Sequence, residues 1–341
     1  MNQPARSAEI EPVRWGILGT AGIARAQVLP AMRHSQWSRV VAIASRDQEK
    51  ARVAAEELSI ERAYGSYGEL LADPQIEAVY IPLPNHLHVP WSVRATDAGK
   101  HVLCEKPIAL SAGQARELLA ARDRSGVHVG EAFMVRVHPQ WLAVRKLVHA
   151  GRIGALRLVT CHFSYFKDDP DNIRNRPDYG GGSLMDVGCY PITLSRWLFG
   201  AEPREVLALM EWDPVMKIDR LTSGLLHFER GQASFTCATQ LAAYQRMHVF
   251  GTAGRIEVDI PFNGPADAPC RIFVATGRER TLETIEFPAV DQYTLQADEF
   301  SKAVRGLGPV PVPLEDAIGN MEVIDALFSS AETRDWAQVG G

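Results

Sequence analysis

The sequence lacks any apolar run near the roughly 18 residues that cross a bilayer, and residues Met1 to Pro12 carry no apolar core of the kind a secretory leader needs. These absences predict a cytoplasmic protein with no membrane partner. Cysteine is scarce as well: Cys104, Cys161, Cys189, Cys237 and Cys270 are odd in number and far apart. Zinc sites use closely spaced cysteines, so these five are expected to be reduced, mostly buried and unconnected with a metal. Basic excess is missing too, with 36 lysines and arginines against 41 acidic residues and a net charge of −5. Such a balance does not track a phosphate backbone, which argues against nucleic acid and leaves a small molecule as the expected partner. There is no internal repeat or low-complexity tract.

What the chain has is length: 341 residues exceed the about 100–200 of an ordinary domain. Two domains are expected, residues 1–132 and 133–341. In the first, short apolar runs (Val13–Leu18, Val40–Ala44, Ala78–Ile81, His101–Cys104) alternate with helical stretches at Gln48–Leu58 and Ser111–Arg124. Near-continuous apolar strands separated by crossovers imply a doubly wound parallel sheet covered on both faces, an α/β class. Asp97-Ala98-Gly99-Lys100 closes another helix, with glycine at the left-handed position. After about Gly151 the runs lengthen: Leu156–Phe166, Ser223–Phe228, Ala233–Thr239, Met247–Gly251, Arg255–Val258 and Arg271–Ala275, with turn pairs such as Arg230-Gly231 and Ala253-Gly254 between them. That texture predicts a large, mostly antiparallel sheet, an α+β domain with helices at Ser183–Phe199, Leu295–Arg305 and Leu314–Thr333.

The first strand runs into Gly19-Thr20-Ala21-Gly22-Ile23-Ala24. A glycine-rich turn is a weak signal alone, but here it follows a strand and opens a helix, the context in which such a turn cradles a pyrophosphate. The second close-approach position is either Ala21 or Gly22, and the N–H groups near Gly22 and Ile23 would face the phosphates. At the end of the second strand stand Ser45 and Arg46, with Lys50 one turn on. A hydroxyl, a guanidinium and an ammonium suit the 2′-phosphate of NADP(H) rather than the bare ribose of NAD(H). The bland alternative makes Arg46 a solvated surface residue and Asp47 the ribose ligand.

Two clusters carry chemistry. Lys106, between Glu105 and Pro107, lies where the sheet's carboxyl edge opens onto the cofactor crevice, and the following proline hints at a cis bond. Most lysines are merely solvated; one at this edge is a functional candidate. In Tyr179-Gly180-Gly181-Gly182-Ser183-Leu184-Met185-Asp186-Val187-Gly188-Cys189-Tyr190-Pro191, glycines allow a close backbone approach, and the helix that follows puts Asp186 and Tyr190 four apart, on one face. Set against this, Ser183-x-x-Asp186 reads as a capping box and Tyr190 as a packed aromatic. Pro191 deletes a helical hydrogen bond, a cost more easily understood at a site than in a core.

These segments, with Pro82-Leu83-Pro84-Asn85-His86-Leu87-His88 and Ala98-Gly99-Lys100-His101-Val102-Leu103-Cys104-Glu105-Lys106-Pro107, resemble the glucose-fructose oxidoreductase/inositol dehydrogenase (Gfo/Idh/MocA) family. The likeness is close over about residues 13–200. It implies a Rossmann domain followed by an open-faced sheet domain, NADP(H) or NAD(H) chemistry on sugars, cyclitols or related diols, and homodimers or homotetramers formed through the second sheet. Tyrosine at position 190, where members often carry histidine, resembles the branch with dimeric dihydrodiol dehydrogenase, NADP-dependent xylose dehydrogenases and ketosugar reductases. The resemblance also places Asn85 and His88 near the nicotinamide ribose, counts Pro82, Glu105, Lys106 and Arg136 among the cofactor-side residues, and assigns no metal to His86, His88 or His138.

The expected activity is hydride transfer between nicotinamide C4 and a carbinol or carbonyl carbon of a sugar, ketosugar or vicinal diol. Tyr190 is the candidate general acid/base, Lys106 the ammonium that depresses its pKa and binds the substrate oxygen, and Asp186 the group that holds a neighbouring hydroxyl or orients the lysine. Two alternatives stand beside it. One is a redox-neutral nicotinamide-dependent glycosidase; the other is an NADP(H)-sensing protein without turnover, which would have no need of Lys106 or Tyr190.

Overall fold

The computed structural model describes residues 11–277 and 282–340; most of the polar segment Met1 to Pro12, and the outermost limits of the two expected domains, lie outside them. Six strands, β1 (Val13–Leu18), β2 (Ser38–Ala44), β3 (Arg62–Tyr64), β4 (Ala78–Ile81), β5 (His101–Glu105) and β6 (Val129–Ala132), form a parallel sheet in the order β3-β2-β1-β4-β5-β6. This is the doubly wound arrangement that the apolar runs predict, with β1 and β4 at the point where strand order reverses. Four of the strands are the expected ones. β3 and β6 are missing from the sequence reading because three and four residues are too few to show a period. Gly99 and Gly126, at φ +72° and +70°, close the helices His88–Asp97 and Ala112–Ser125.

The second sheet has nine strands: β7 (Leu156–Phe166), β8 (Glu205–Trp212), β9 (Asp219–Phe228), β10 (Gly231–Ala238), β11 (Gln240–Gly251), β12 (Gly254–Val258), β13 (Cys270–Thr276), β14 (Glu283–Phe287) and β15 (Ala337–Gln338). Their order is β14-β13-β12-β11-β7-β10-β9-β8-β15. All neighbours are antiparallel except β7 and β10, which run parallel at the centre because two further strands and the helix Cys189–Phe199 intervene between them in sequence. That helix is buried through Leu198. It covers one face of the sheet and carries Tyr190.

Two C-terminal helices tie the sheets together. Gln292–Val304 returns to the first sheet, where Trp15 packs on Phe300 at 5.5 Å and donates to Ser301 at 3.1 Å. Leu314–Thr333 lies between Ala112–Ser125 and β8: Asp325 accepts from the Ala112 N–H and Ser330 from that of Ala208. The crevice between the sheets is therefore walled by both halves of the chain. No helix among the described residues is long and apolar enough to cross a membrane.

Candidate active site

A cavity of about 1610 Å³ runs from the turn after β1 to the near face of the second sheet. At one end lie Gly19 to Ile23. Gly19 has φ +113°, a conformation side chains rarely adopt, and a Cβ there would press on Leu83 at 2.9 Å; at Gly22 the Cβ position is open space. Ala21 and Gly22 both line this end of the cavity. Ser45, Arg46 and Lys50 line the same end. Oδ1 of Asp47 accepts from the N–H groups of Glu49 (2.9 Å) and Lys50 (3.2 Å) and caps the helix Gln48–Glu57. Arg46, exposed at the strand end as Asp47 and Lys50 are, lies beside the Tyr67 hydroxyl.

At the other end β5 delivers Lys106. Its Nζ donates to the Asp186 carbonyl (2.6 Å) and to Asp186 Oδ1 (3.1 Å), while Oδ2 of the same carboxylate accepts from the Tyr165 hydroxyl (2.6 Å) and Arg174 Nε (3.1 Å). Burial pushes the Asp186 carboxyl up, but Lys106 and then Arg174 overcome it and hold the group below the usual carboxylate range. Burial likewise opposes charge on Lys106, and Asp186 outweighs it, so the ammonium persists. Glu105 accepts from Tyr80 (2.6 Å) and is pushed up by burial. Lys106, Asp186, Glu105 and Tyr190 all face the cavity.

Tyr190 sits among Phe133, Phe163 and Phe262, with ring centroids at 5.2, 5.7 and 5.3 Å. The Lys106 ammonium lies 5.1 Å from the ring centroid, over its face. The phenol itself turns toward Met134 Sδ at 3.6 Å. Its pKa is pushed well above the ordinary value by burial, the reverse of the depression expected from the sequence. The reason is geometric: the lysine's charge is held by Asp186 and meets the ring rather than the hydroxyl.

The segment bearing Asp186 and Tyr190 opens with π-helical winding over Leu184–Gly188. No Ser183–Asp186 capping box forms there. Asp219, at the start of β9, supplies the cap, its Oδ2 accepting from the Leu184 N–H (2.7 Å), Ser183 (2.7 Å) and Thr222 (2.8 Å). Asp186 is thereby left free for Lys106.

Three comparisons with known proteins bear on this geometry. Residues 13–133 match the family model described as "Oxidoreductase family, NAD-binding Rossmann fold", and residues 141–257 match the "GFO/IDH/MocA C-terminal domain". The chain belongs to the Gfo/Idh/MocA oxidoreductase family. Among its relatives, an uncharacterized oxidoreductase of Rhizobium meliloti is 48% identical over 96% of this chain and 99% of its own. The D-xylose 1-dehydrogenase (NADP(+)) 2 of Haloferax volcanii is 41% identical over 94% and 97%. The crystal structure of a 3-ketoreductase from Actinomadura kijaniata, in complex with NADP and TDP-benzene, superposes with a TM-score of 0.86 at 31% identity, covering 94% of this chain and 98% of that one.

As a Gfo/Idh/MocA protein the chain is a nicotinamide-dependent oxidoreductase acting on CH–OH groups. Pro82 and Asn85 line the cavity; His88 borders it, but its ring is buried with both nitrogens against the Pro107 and Leu83 carbonyls, so the side chain does not meet a cofactor as the resemblance implied. Asn85 donates to the Gly180 carbonyl at 2.8 Å, joining the first sheet's loop to the glycine-rich segment. Arg136 is a correction: it does not line the cavity but is buried in an ion cluster, donating to Asp316 (2.9 Å) and Thr193 (3.2 Å) over the Trp197 ring. A buried guanidinium needs a carboxylate partner, and Asp316 on a distant helix supplies it. Of the other histidines, His138 caps the helix Pro139–His149 and His86 stacks on Tyr179 at 4.5 Å. Sequence reasoning missed Tyr165, Arg174 and Asp219. Arg174 stands in the loop Lys167–Tyr179, which the sequence marks only by polarity, and Tyr165 on β7 looks like any strand tyrosine.

Proposed function

We propose that this family member is an NADP(H)-dependent oxidoreductase that moves a hydride between nicotinamide C4 and a carbinol or carbonyl carbon of a sugar, ketosugar or related vicinal diol. The observation that carries the reading is the Lys106–Asp186–Tyr165–Arg174 cluster beside Tyr190, in one cavity with the Gly19–Ile23 turn and Ser45, Arg46 and Lys50. The nicotinamide supplies or accepts the hydride. Gly19, Ala21, Gly22, Ile23, Ser45, Arg46 and Lys50 would hold the dinucleotide, and the three donors Ser45, Arg46 and Lys50, beside an Asp47 whose Oδ1 caps the next helix, favour the 2′-phosphate.

In the direction of reduction, Tyr190 gives its proton to the oxygen of the carbonyl under attack. Its raised pKa keeps that proton on the phenol at neutral pH, and a thioether is a weak acceptor that leaves it available. Lys106, kept charged by Asp186, binds the developing alkoxide and stabilises it electrostatically. Asp186 orients the lysine. The chain is further proposed to divide into a cofactor domain, 1–132, and a substrate and oligomerisation domain, 133–341, and to act in the cytoplasm as a homo-oligomer. Support for NADP(H) and for a sugar comes from the names of the xylose dehydrogenase and the ketoreductase.

The deciding experiment incubates the purified protein with each cofactor and a panel of aldoses, ketosugars and vicinal diols, following NADPH absorbance and product together. Net cofactor oxidation or reduction with a sugar-like compound is expected. Product formed without net change would move the reading to the redox-neutral glycosidase, and no product with any compound, despite tight cofactor binding, would favour a sensing protein.

A further inference from the structure

The peptide unit that follows the Lys106 turn, joining Pro107 to Ile108, is buried and gripped at both ends. Its carbonyl lies 2.7 Å from Nδ1 of His88, and its N–H donates to Oε1 of Glu131 at 2.8 Å. These side chains come from different elements: His88 opens the helix His88–Asp97 and is 0% exposed, and Glu131 stands on β6 and is 3% exposed. Nε2 of His88 lies 2.7 Å from the Leu83 carbonyl, in the loop after β4 that lines the cavity; a neutral ring has one N–H and donates to one of the two carbonyls, so holding the Pro107 carbonyl requires that N–H on Nδ1.

Neither side chain is free to meet a ligand in this arrangement. Burial lowers the His88 pKa to about 4, against the pull of the two carbonyls, and both ring nitrogens face backbone. Glu131 does not line the cavity. Burial raises its pKa to about 8, and Oε2 has no hydrogen-bond partner among the described residues. An acid in that state accepts one amide N–H at a desolvation cost that an apolar residue would avoid.

We propose that His88 and Glu131 are positioning residues that hold the Pro107–Ile108 peptide from its two ends and so fix the Lys106 ammonium against Asp186 and over the Tyr190 ring. Lys106 follows β5 of the first sheet and Asp186 stands on the helical segment Leu184–Gly188 in the second half of the chain, so a shift of the turn moves one relative to the other. This proposal rests on the reading of Lys106 as a reacting-site group.

The test compares Glu131→Ala, Glu131→Gln, His88→Ala, His88→Asn and Lys106→Ala in steady-state turnover of the best sugar found, per folded protein, with NADPH affinity measured separately. Misplacement of a catalytic group by a fraction of an ångström to one ångström predicts about 10–100-fold lower kcat in Glu131→Ala and His88→Ala with NADPH affinity little changed. Glu131→Gln, which mimics the neutral acid, recovers most of the activity, and His88→Asn, whose amide overlays Nδ1, recovers part. Glu131→Ala added to Lys106→Ala causes no further loss, because it acts through the lysine. Where an alanine variant does not fold, Glu131→Met keeps the length and removes the acceptor. Wild-type kcat in the alanine variants, a Gln variant no better than Ala, or additive losses in the cycle overturn the clamp while a dead Lys106→Ala leaves the functional reading intact; full turnover in Lys106→Ala sinks both.

Discussion

At the residue scale, the chemistry turns on where two charges end. The Lys106 ammonium is held charged by Asp186, and the Tyr190 phenol is left protonated by burial, a pairing suited to giving a proton away. Tyr190→Phe keeps the ring among Phe133, Phe163 and Phe262 and deletes only the hydroxyl. It is expected to retain fold and NADPH binding and to lose roughly 10²–10⁴-fold in turnover, the scale of a general acid. Steady-state rates beside fluorescence titration of NADPH would show this, and a variant keeping a large share of wild-type turnover would return Tyr190 to a packing role. Arg46 makes the corresponding prediction for the cofactor. A charge-assisted contact is worth about 1.5–3 kcal/mol, so NADPH should bind at least about tenfold more tightly than NADH, and Arg46→Ala should erase most of that preference. Equal affinities in the wild type would assign the ribose to another residue.

At the element scale, two of the helices that open onto the cavity begin with π-helical winding and carry a proline soon after. Ala24–Val28 is followed by Pro30, and Leu184–Gly188 by Pro191. Proline cannot donate to the carbonyl four residues back, and a locally widened turn is one way for a helix to accept it; such turns recur at functional sites. The second of these helices is capped by Asp219 rather than by its own Ser183. Asp219→Ala strands the Leu184 N–H and two hydroxyls and should cost about 2–3 kcal/mol in denaturant unfolding. The Asp219 carboxyl is pushed up by burial to about 6, the bonds from Ser183, Thr222 and Leu184 opposing this without overcoming it. A folded pKa above the unfolded value means the folded state holds more protons between about pH 4 and pH 6. Stability relative to Asp219→Asn should therefore fall as pH rises through that window, by an amount on the order of 3 kcal/mol. A difference that does not change with pH would mean the carboxylate is already charged when buried.

At the scale of the whole molecule, one face of the nine-stranded sheet is covered by the chain itself and the other is not. Ala233, Phe235 and Cys237, the apolar residues of β10, point inward and are buried, whereas their neighbours Ser234 and Thr236 are partly exposed. The case for association therefore rests on other residues. Leu209 on β8 is 78% exposed and Leu225 on β9 is 41% exposed. Both pair positions lie on adjacent strands of a broad sheet that water must otherwise wet. A homodimer or homotetramer is the expected state in sedimentation at micromolar concentration, and Leu209→Glu with Leu225→Glu should dissociate it; a stable wild-type monomer would end the proposal.

The sequence by itself determined the strands and helices that have a clear period, the glycine turn after β1, the lysine at the end of β5 and the tyrosine–aspartate helix. Each of these is a local pattern, in which spacing along the chain dictates which side chains share a face or a turn. Short strands such as β3 and β6 escaped it because they carry too few residues for a pattern. Only the tertiary structure decided which partner each charged group would take. Asp219 displaces Ser183 as the cap, Asp316 draws Arg136 out of the crevice, and the ammonium that Asp186 orients meets the ring of Tyr190 rather than its hydroxyl. A buried charge or N–H binds the nearest complementary group in space, and that group here lies 35 to 180 residues away in sequence.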